Sequence, residues 1–273
     1  MASSIPLEDS FTDIIGKAQR GLSISDEALA KVTGLNLQTI HSLKGGALDA
    51  TSLIKVATAL NLDATALMSL AEGSYHPAVI VPPEGLACFN TDFDDMTVNS
   101  YLVWDPATRE AAFFDTGADG QPMLDFANAH NLSVKQIFVT HTHMDHILDL
   151  DRLVKKTGAK AWACVKEPLE GAESFEPGRA FMIGNLSVET RETSGHAKGG
   201  ITYVVQGLAR ALAVVGDSIF AASMGGGVIS YADAIRNNRE QVLTLPEDTI
   251  LCPGHGPLTS VGEQKVANPF FPA

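Results

Sequence analysis

A chain of 273 residues with 45% hydrophobic and 19% charged content is globular, with a substantial core, and has room for one large domain or a large domain with a small attachment. Its formal net charge of −13 excludes, for the chain taken as a whole, a nucleic-acid coat or a protein held by charge to an anionic membrane. The three cysteines, Cys88, Cys164 and Cys252, are far apart and odd in number, which excludes a disulfide framework. Met1–Asp9 lacks a basic start and an apolar run, and no stretch of about 20 apolar residues occurs. A cytoplasmic protein with no membrane segment is expected.

Residues 8 to 73 read as helical throughout. Phe11, Ile14, Ile15 and Ala18 form an apolar stripe at helical spacing, ended by Gly21. Ser25-Asp26-Glu27 opens a second helix that stops at Gly34, and Leu35 to Gly46 holds a third. Thr51 to Leu60 and Ala64 to Leu70 are two more. At Ala28-Leu29-Ala30, Thr33-Gly34-Leu35 and Thr39-Ile40 this stretch resembles the phage-repressor (Cro/C1-type) helix-turn-helix family. The resemblance implies that Asn36, Gln38, Thr39 and Ser42 face a DNA major groove. The charges oppose that use. Residues 1 to 75 carry five positive side chains (Lys17, Arg20, Lys31, Lys44, Lys55) against eight negative ones (Glu8, Asp9, Asp13, Asp26, Glu27, Asp49, Asp63, Glu72). DNA binding is therefore not favoured over a small bundle that makes a homodimer or covers a substrate.

The expected organisation is a helical domain over 1–73, a linker over 74–85 punctuated by proline and glycine, and a second domain over 86–273. In that second part, strands are expected at 98–104, 111–114, 136–140, 159–164, 186–190, 201–205, 212–215 and 249–252. Helices are expected at 123–130, 147–156 and 231–243. Alternation of this kind implies layered sheets with helices outside.

Between the strand at 136–140 and its helix lies His141-Thr142-His143-Met144-Asp145-His146, three imidazoles and one carboxylate within six residues. Side chains fan out from a strand-to-helix turn toward one point, and nitrogen with carboxylate oxygen is the donor set of zinc and similar cations. Core packing does not explain such a cluster, because unpaired buried polar groups are costly. Three later ligand-type residues stand beside glycine at strand or loop ends: His196 in Ser194-Gly195-His196, Asp217 in Gly216-Asp217-Ser218, and His255 in Gly254-His255-Gly256. The total is five histidines and two aspartates, about what a pair of divalent ions needs.

This set resembles the metallo-β-lactamase-fold hydrolase superfamily over residues 86 to 271, and within it the glyoxalase II-like branch. The resemblance implies an α+β fold, an αβ/βα sandwich of two mixed sheets, here preceded by a small all-α helix-turn-helix-like domain. It implies that His141, His143 and His196 hold one ion, that Asp145, His146 and His255 hold the second, and that Asp217 bridges them. Two zinc ions are expected, with iron or manganese open on the same donor set. A water between the ions would become hydroxide and attack a small ester, thioester or lactone, and Asp145 would help orient it. Asp115, at a strand end, is a candidate to fix an imidazole tautomer or is simply a turn residue.

Departures from the branch bear on substrate. The loop Gly254-His255-Gly256-Pro257 lacks the aromatic residue that usually follows the histidine, and no arginine follows Asn268, so glutathione recognition is not expected. The Gly-Arg-x-Asp pattern of sulfur dioxygenases is missing after Asp217, where Gly225-Gly226-Gly227 stands instead. Cys252 reads as an apolar filler rather than a ligand. A mononuclear iron oxygenase on the same fold, and a metal- or ligand-sensing DNA-binding regulator, are the alternatives to the hydrolase.

Overall fold

The computed structural model of the protein describes residues 5 to 272. Its first part is five helices: α1 (Phe11–Leu22), α2 (Asp26–Thr33), α3 (Leu37–Lys44), α4 (Ala50–Ala59) and α5 (Ala64–Ala71). Each is short, so propensity alone would not hold it. Local chemistry fixes each start instead. Ser10, Ser25, Asn36, Asp49 and Asp63 are N-caps whose side chains accept from the backbone amide three residues on. A cap of this kind stabilises a helix by about 1 kcal/mol. Gly34, at φ 68°, closes α2 in the left-handed conformation.

Two six-stranded sheets follow. The first contains β1 (Leu86–Phe93), β2 (Met96–Trp104), β3 (Glu110–Phe114), β4 (Ser133–Phe138), β5 (Lys160–Cys164) and β6 (Glu173–Phe175), in that spatial order. The second, in the order β12-β11-β10-β9-β8-β7, contains β7 (Ala180–Ile183), β8 (Leu186–Glu192), β9 (Ile201–Gln206), β10 (Leu212–Gly216), β11 (Ile250–Pro253) and β12 (Thr259–Ser260). The helices between them are α6 (Gln121–Ala129), α7 (Met144–Ile147), α8 (Leu150–Thr157), α9 (Tyr231–Asn237) and α10 (Val261–Ala267), and α9 runs into a π-helical turn over Asn238–Val242.

Strand alternation sorts the apolar residues into layers. Phe114, Phe138, Tyr203, Val214 and Cys252 fill the space between the sheets. Phe113 and Ile137 turn outward under Met123 of α6 and Leu153 of α8. Val204, Ala213, Val215 and Leu251 turn outward from the second sheet, and what covers them is both α9 and the amino-terminal helices. Ile14, Ile15, Leu29, Leu53, Leu60 and Leu67 lie in one continuous core with those sheet residues and with Phe270 and Phe271. Polar contacts tie the same layers: Asp63 N donates to Pro269 O at 2.7 Å, and Tyr75 Oη to Glu263 Oε1 at 3.0 Å.

The helices and central strands lie close to where the sequence places them. The expected helix at 147–156 is two pieces, α7 and α8: Asp149 N donates to Thr116 Oγ1 (3.2 Å) rather than into the helix, and its carboxylate accepts from Gly120 N (2.7 Å) and Arg152 Nε (2.7 Å). The expected helix at 231–243 changes to the π turn after Asn237. Four strands without a forecast, β1, β6, β7 and β12, are the four sheet edges. An edge strand packs partly against solvent, so its apolar alternation is diluted; β1 carries Asn90, Thr91 and Asp92 in succession.

Ile15 is fully buried where helices meet sheet. Ile15→Ala is expected to cost about 2–5 kcal/mol. In denaturant titration, far-UV circular dichroism and the fluorescence of Trp104 and Trp162, both in the sandwich, should shift together, as one shared core requires.

Candidate metal centre

Loop positions follow from strand directions. β3 and β4 are parallel neighbours, so the loops leaving them, Asp115-Thr116-Gly117 and Val139 to His143, emerge at the same sheet edge. β10 and β11 are also parallel neighbours, which brings Asp217 and His255 together. β8 runs parallel to β10 through β9, antiparallel to both, and its following loop delivers His196 to the same end. All seven ligand-type residues expected from the sequence meet there.

They meet as two groups. In one, ligand atoms of His141, His143, His196 and Asp217 lie within 4.8 Å of one another; in the other, so do those of Asp145, His146 and His255. His143 Nδ1 is 3.0 Å from both His141 Nε2 and His196 Nε2. Asp145 Oδ2 is 3.3 Å from both His146 Nε2 and His255 Nε2. Asp217 touches both groups: Oδ1 is 3.3 Å from His146 Nε2, and Oδ2 is 3.4 Å from His196 Nε2 and 3.4 Å from His255 Nε2. Donors around a tetrahedral ion with bonds of about 2.0–2.1 Å stand about 3.3 Å apart, which these spacings match.

The outward nitrogens fix the tautomers. His146 Nδ1 donates to Asp115 Oδ2 at 2.8 Å, His255 Nδ1 to Thr97 O at 2.8 Å, and His196 Nδ1 to Gly226 O at 3.0 Å. Thr140 Oγ1 donates to Asp115 Oδ2 at 2.7 Å, so His141 Nδ1, 3.1 Å away, donates to that hydroxyl oxygen. Each of these four rings therefore turns its Nε2 inward. Asp115, buried and at φ 55°, also accepts from Thr140 N at 2.7 Å, and so fixes both ends of the His141–His146 turn.

The donor set fits a cation. His146 Nε2 and Asp217 Oδ1 are enclosed and have no hydrogen-bond partner, a costly state that a cation between them relieves. Charge in the bare protein is correspondingly divided. Burial, reinforced by His146, holds His141 well below the usual imidazole range, and burial lowers His196 too. For His146, burial opposes the charge but Asp217 and Asp115 outweigh it and hold the ring well above that range. His255 is likewise pushed up, to about 10, by Asp217 and Asp145 against burial. Burial would raise Asp145 and Asp217; the charged rings of His146 and His255 beside them override it and hold both carboxyls far below their ordinary values.

Two glycines let the loops close on this centre. A Cβ at Gly254 would lie 2.1 Å from Asp217 Oδ1 and 2.6 Å from His146 Cε1. A Cβ at Gly225 would lie 2.0 Å from Asp217 O. Residues that sequence reasoning passed over hold the His255 loop. Asn99 Nδ2 donates to Pro253 O (3.0 Å) and Gly256 O (2.8 Å), and Tyr101 Oη donates to Pro253 O (2.6 Å). Their signal was present: an asparagine inside a buried strand needs partners. Cys252 lies between the sheets, as an apolar filler would. The open side of the centre is at His143, which is exposed together with Met144.

Residues 93–255 match the model of the metallo-beta-lactamase superfamily. The chain is 31% identical over 224 residues to a beta-lactamase hydrolase-like protein of Agrobacterium fabrum, covering 66% of this chain and 51% of that protein, so it spans about half of that relative. It is 25% identical over 198 residues to the hydroxyacylglutathione hydrolase GloC of Haemophilus influenzae, covering 63% and 92% of the two chains. Among solved structures, ETHE1 from Myxococcus xanthus shares the fold with a TM-score of 0.60 at 24% identity, over 67% of this chain and 83% of that one. With more than half of its length matched, the chain belongs to the metallo-beta-lactamase superfamily.

Proposed function

We propose that the protein is a dinuclear zinc hydrolase of small thioesters, esters or lactones. His141, His143 and His196 would hold one ion, Asp145, His146 and His255 the second, and Asp217 would serve both. The observation that carries this reading is the position of Asp217, with its two oxygens at 3.3–3.4 Å from imidazoles of both groups. A relative named as a hydroxyacylglutathione hydrolase supports acyl-transfer chemistry.

Bound divalent ions supply Lewis acidity for the carbonyl and lower the pKa of a water. The chain supplies the geometry. Asp145 stays ionised throughout the physiological range, so it accepts a hydrogen bond from the attacking water and orients it. Asp115 and Thr140 keep the rings of His141 and His146 from rotating. In the reaction the acyl carbon gains the water oxygen and loses the thiol, alcohol or ring oxygen, which leaves with a proton. Exposed Met144, next to His143, suits a small apolar acyl group.

The helical layer is assigned to covering the second sheet rather than to reading DNA. Asn36, one of the residues that would face a groove, is occupied as an N-cap: its Oδ1 accepts from Thr39 N at 2.8 Å and from Thr39 Oγ1 at 3.1 Å. Among the described residues no helix is long and apolar enough to cross a membrane.

Elemental analysis of protein purified without added metal should find about two zinc ions per chain, and Asp217→Ala should lose both the ions and about a thousandfold in kcat/KM. One iron per chain without hydrolysis would sink the reading. Gly254→Ala, which drives a methyl group onto Asp217, should weaken metal affinity about 10- to 100-fold, read by competition with a chromophoric chelator. Protons provide a third check. His146 and His255 carry protons near neutrality in the bare protein and must lose them to become ligands. Loading at pH 7 should therefore release protons, seen as a calorimetric heat that depends on the buffer, and apparent affinity should climb as pH rises toward about 10.

A further inference from the structure

The ligand set does not use the amino-terminal segment that lies beside it. Asp9 Oδ2 accepts from Ser223 Oγ at 2.6 Å, and Lys17 Nζ donates to Asp9 and to Met224 O (2.9 Å), which pins the chain just before α1 against the loop after Asp217. Lys17 also lies 5.3 Å above the ring of Phe220, whose centroid is 5.7 Å from that of His255. Anchored in this way, the preceding residues run along the His255 loop. A methyl group at Gly256 would come 3.4 Å from Glu8 N and 3.8 Å from Glu8 Cβ.

Glu8 is half-buried; burial pushes its carboxyl up and the charge of His255 draws it back. It stands on the wall of a cleft of about 630 Å³ that reaches Thr97 and Gly256, the residues that flank His255. The opposite wall is the turn between β1 and β2, with Asp92, Asp94 and Asp95. Among the described residues no lysine or arginine lines this cleft, and Lys17 on α1 is already committed to Asp9.

We propose that Glu8, carried alongside the His255 loop by the amino-terminal segment, is a specificity-determining residue that favours cationic or neutral leaving groups and disfavours anionic thiol carriers. The proposal rests on the hydrolase reading for its substrates, and on Coulomb's law for its sign. A carboxylate at the edge of a cleft repels a second negative charge and attracts a positive one. Glutathione, with a net negative charge at neutral pH, is disfavoured by the same field. The amino-terminal part of the chain then contributes to substrate choice as well as to the fold.

The test uses three acetyl thioesters that differ in leaving-group charge: acetylthiocholine (positive), S-acetyl-N-acetylcysteamine (neutral) and S-acetylthioglycolate (negative). With metal-loaded full-length protein at pH 8, the ratio of kcat/KM for the positive over the negative probe should fall about three- to tenfold in Glu8→Gln and further in Glu8→Lys. Intrinsic reactivity cancels in the comparison between variants. In the wild type the same ratio should shrink as salt is raised, a result that needs no variant to fold. Calorimetric Kd values of the positive and negative probes for chelator-treated protein should show the same preference without turnover. An unchanged ratio in both variants, with metal content and thermal unfolding as in the wild type, would overturn the proposal. Loss of metal in Glu8→Gln would overturn it as well, because Glu8 would then act through the ions. If no probe is turned over but the Kd preference is present and disappears in Glu8→Gln, the hydrolase reading fails and the charge filter stands.

Discussion

Five imidazoles and two carboxylates brought within one small volume are not stable by themselves, and much of the fold around them answers that constraint. Inward Nε2 atoms carry lone pairs that repel unless protons or a cation lie between them. The bare protein resolves this by keeping His146 and His255 charged against Asp145 and Asp217 while His141 and His196 stay neutral. That solution leaves His146 Nε2 and Asp217 Oδ1 enclosed without a hydrogen bond, so it is incomplete. Burying such atoms costs roughly 1–3 kcal/mol each, and a divalent cation removes the cost while releasing the protons.

The rigidity that holds the donors in place comes from outside the centre. Asp115 sits at a positive φ, a conformation a non-glycine residue adopts only at some cost, and its two oxygens bind three donors from the turn it faces. Asn99 and Tyr101 do the same for the His255 loop from the neighbouring strand β2. Since β2 is buried along most of its length, these polar groups have few alternatives to the carbonyls they hold. Strand order, turn strain and hydrogen bonding thus converge on one end of the sandwich, where parallel neighbours bring their loops together.

The sequence was most legible where chemistry is concentrated. His141 to His146, with His196, Asp217 and His255, stood out because no packing role explains ligand-type residues at turn positions beside glycine. Central strands were legible because both faces are covered and their apolar runs are unbroken, as in β10 with Leu212 to Val215. Edge strands were not: β6, β7 and β12 are only 3, 4 and 2 residues long, too short to show a period, and β1 is interrupted by Asn90, Thr91 and Asp92. Glu8 and Asn99 were not legible either. Each is an ordinary polar residue locally, and its role depends on a contact made across 100 or more residues of chain, with Gly256 for both.

The amino-terminal helices are the least expected part of the arrangement in physical terms. A small bundle attached by a proline-rich segment reads as an independent module, yet its apolar stripe is the cover for the second sheet. Val204, Ala213, Val215 and Leu251 would otherwise face water beside α9, at about 25 cal/mol for each Å² of apolar surface left open. Docking for that reason also fixes the course of the chain before Phe11, because Lys17 on α1 carries the Asp9 anchor. The position of Glu8 beside His255 is then a geometric consequence of covering a sheet. A requirement of the hydrophobic core at one end of α1 becomes a charge beside the His255 loop at the other.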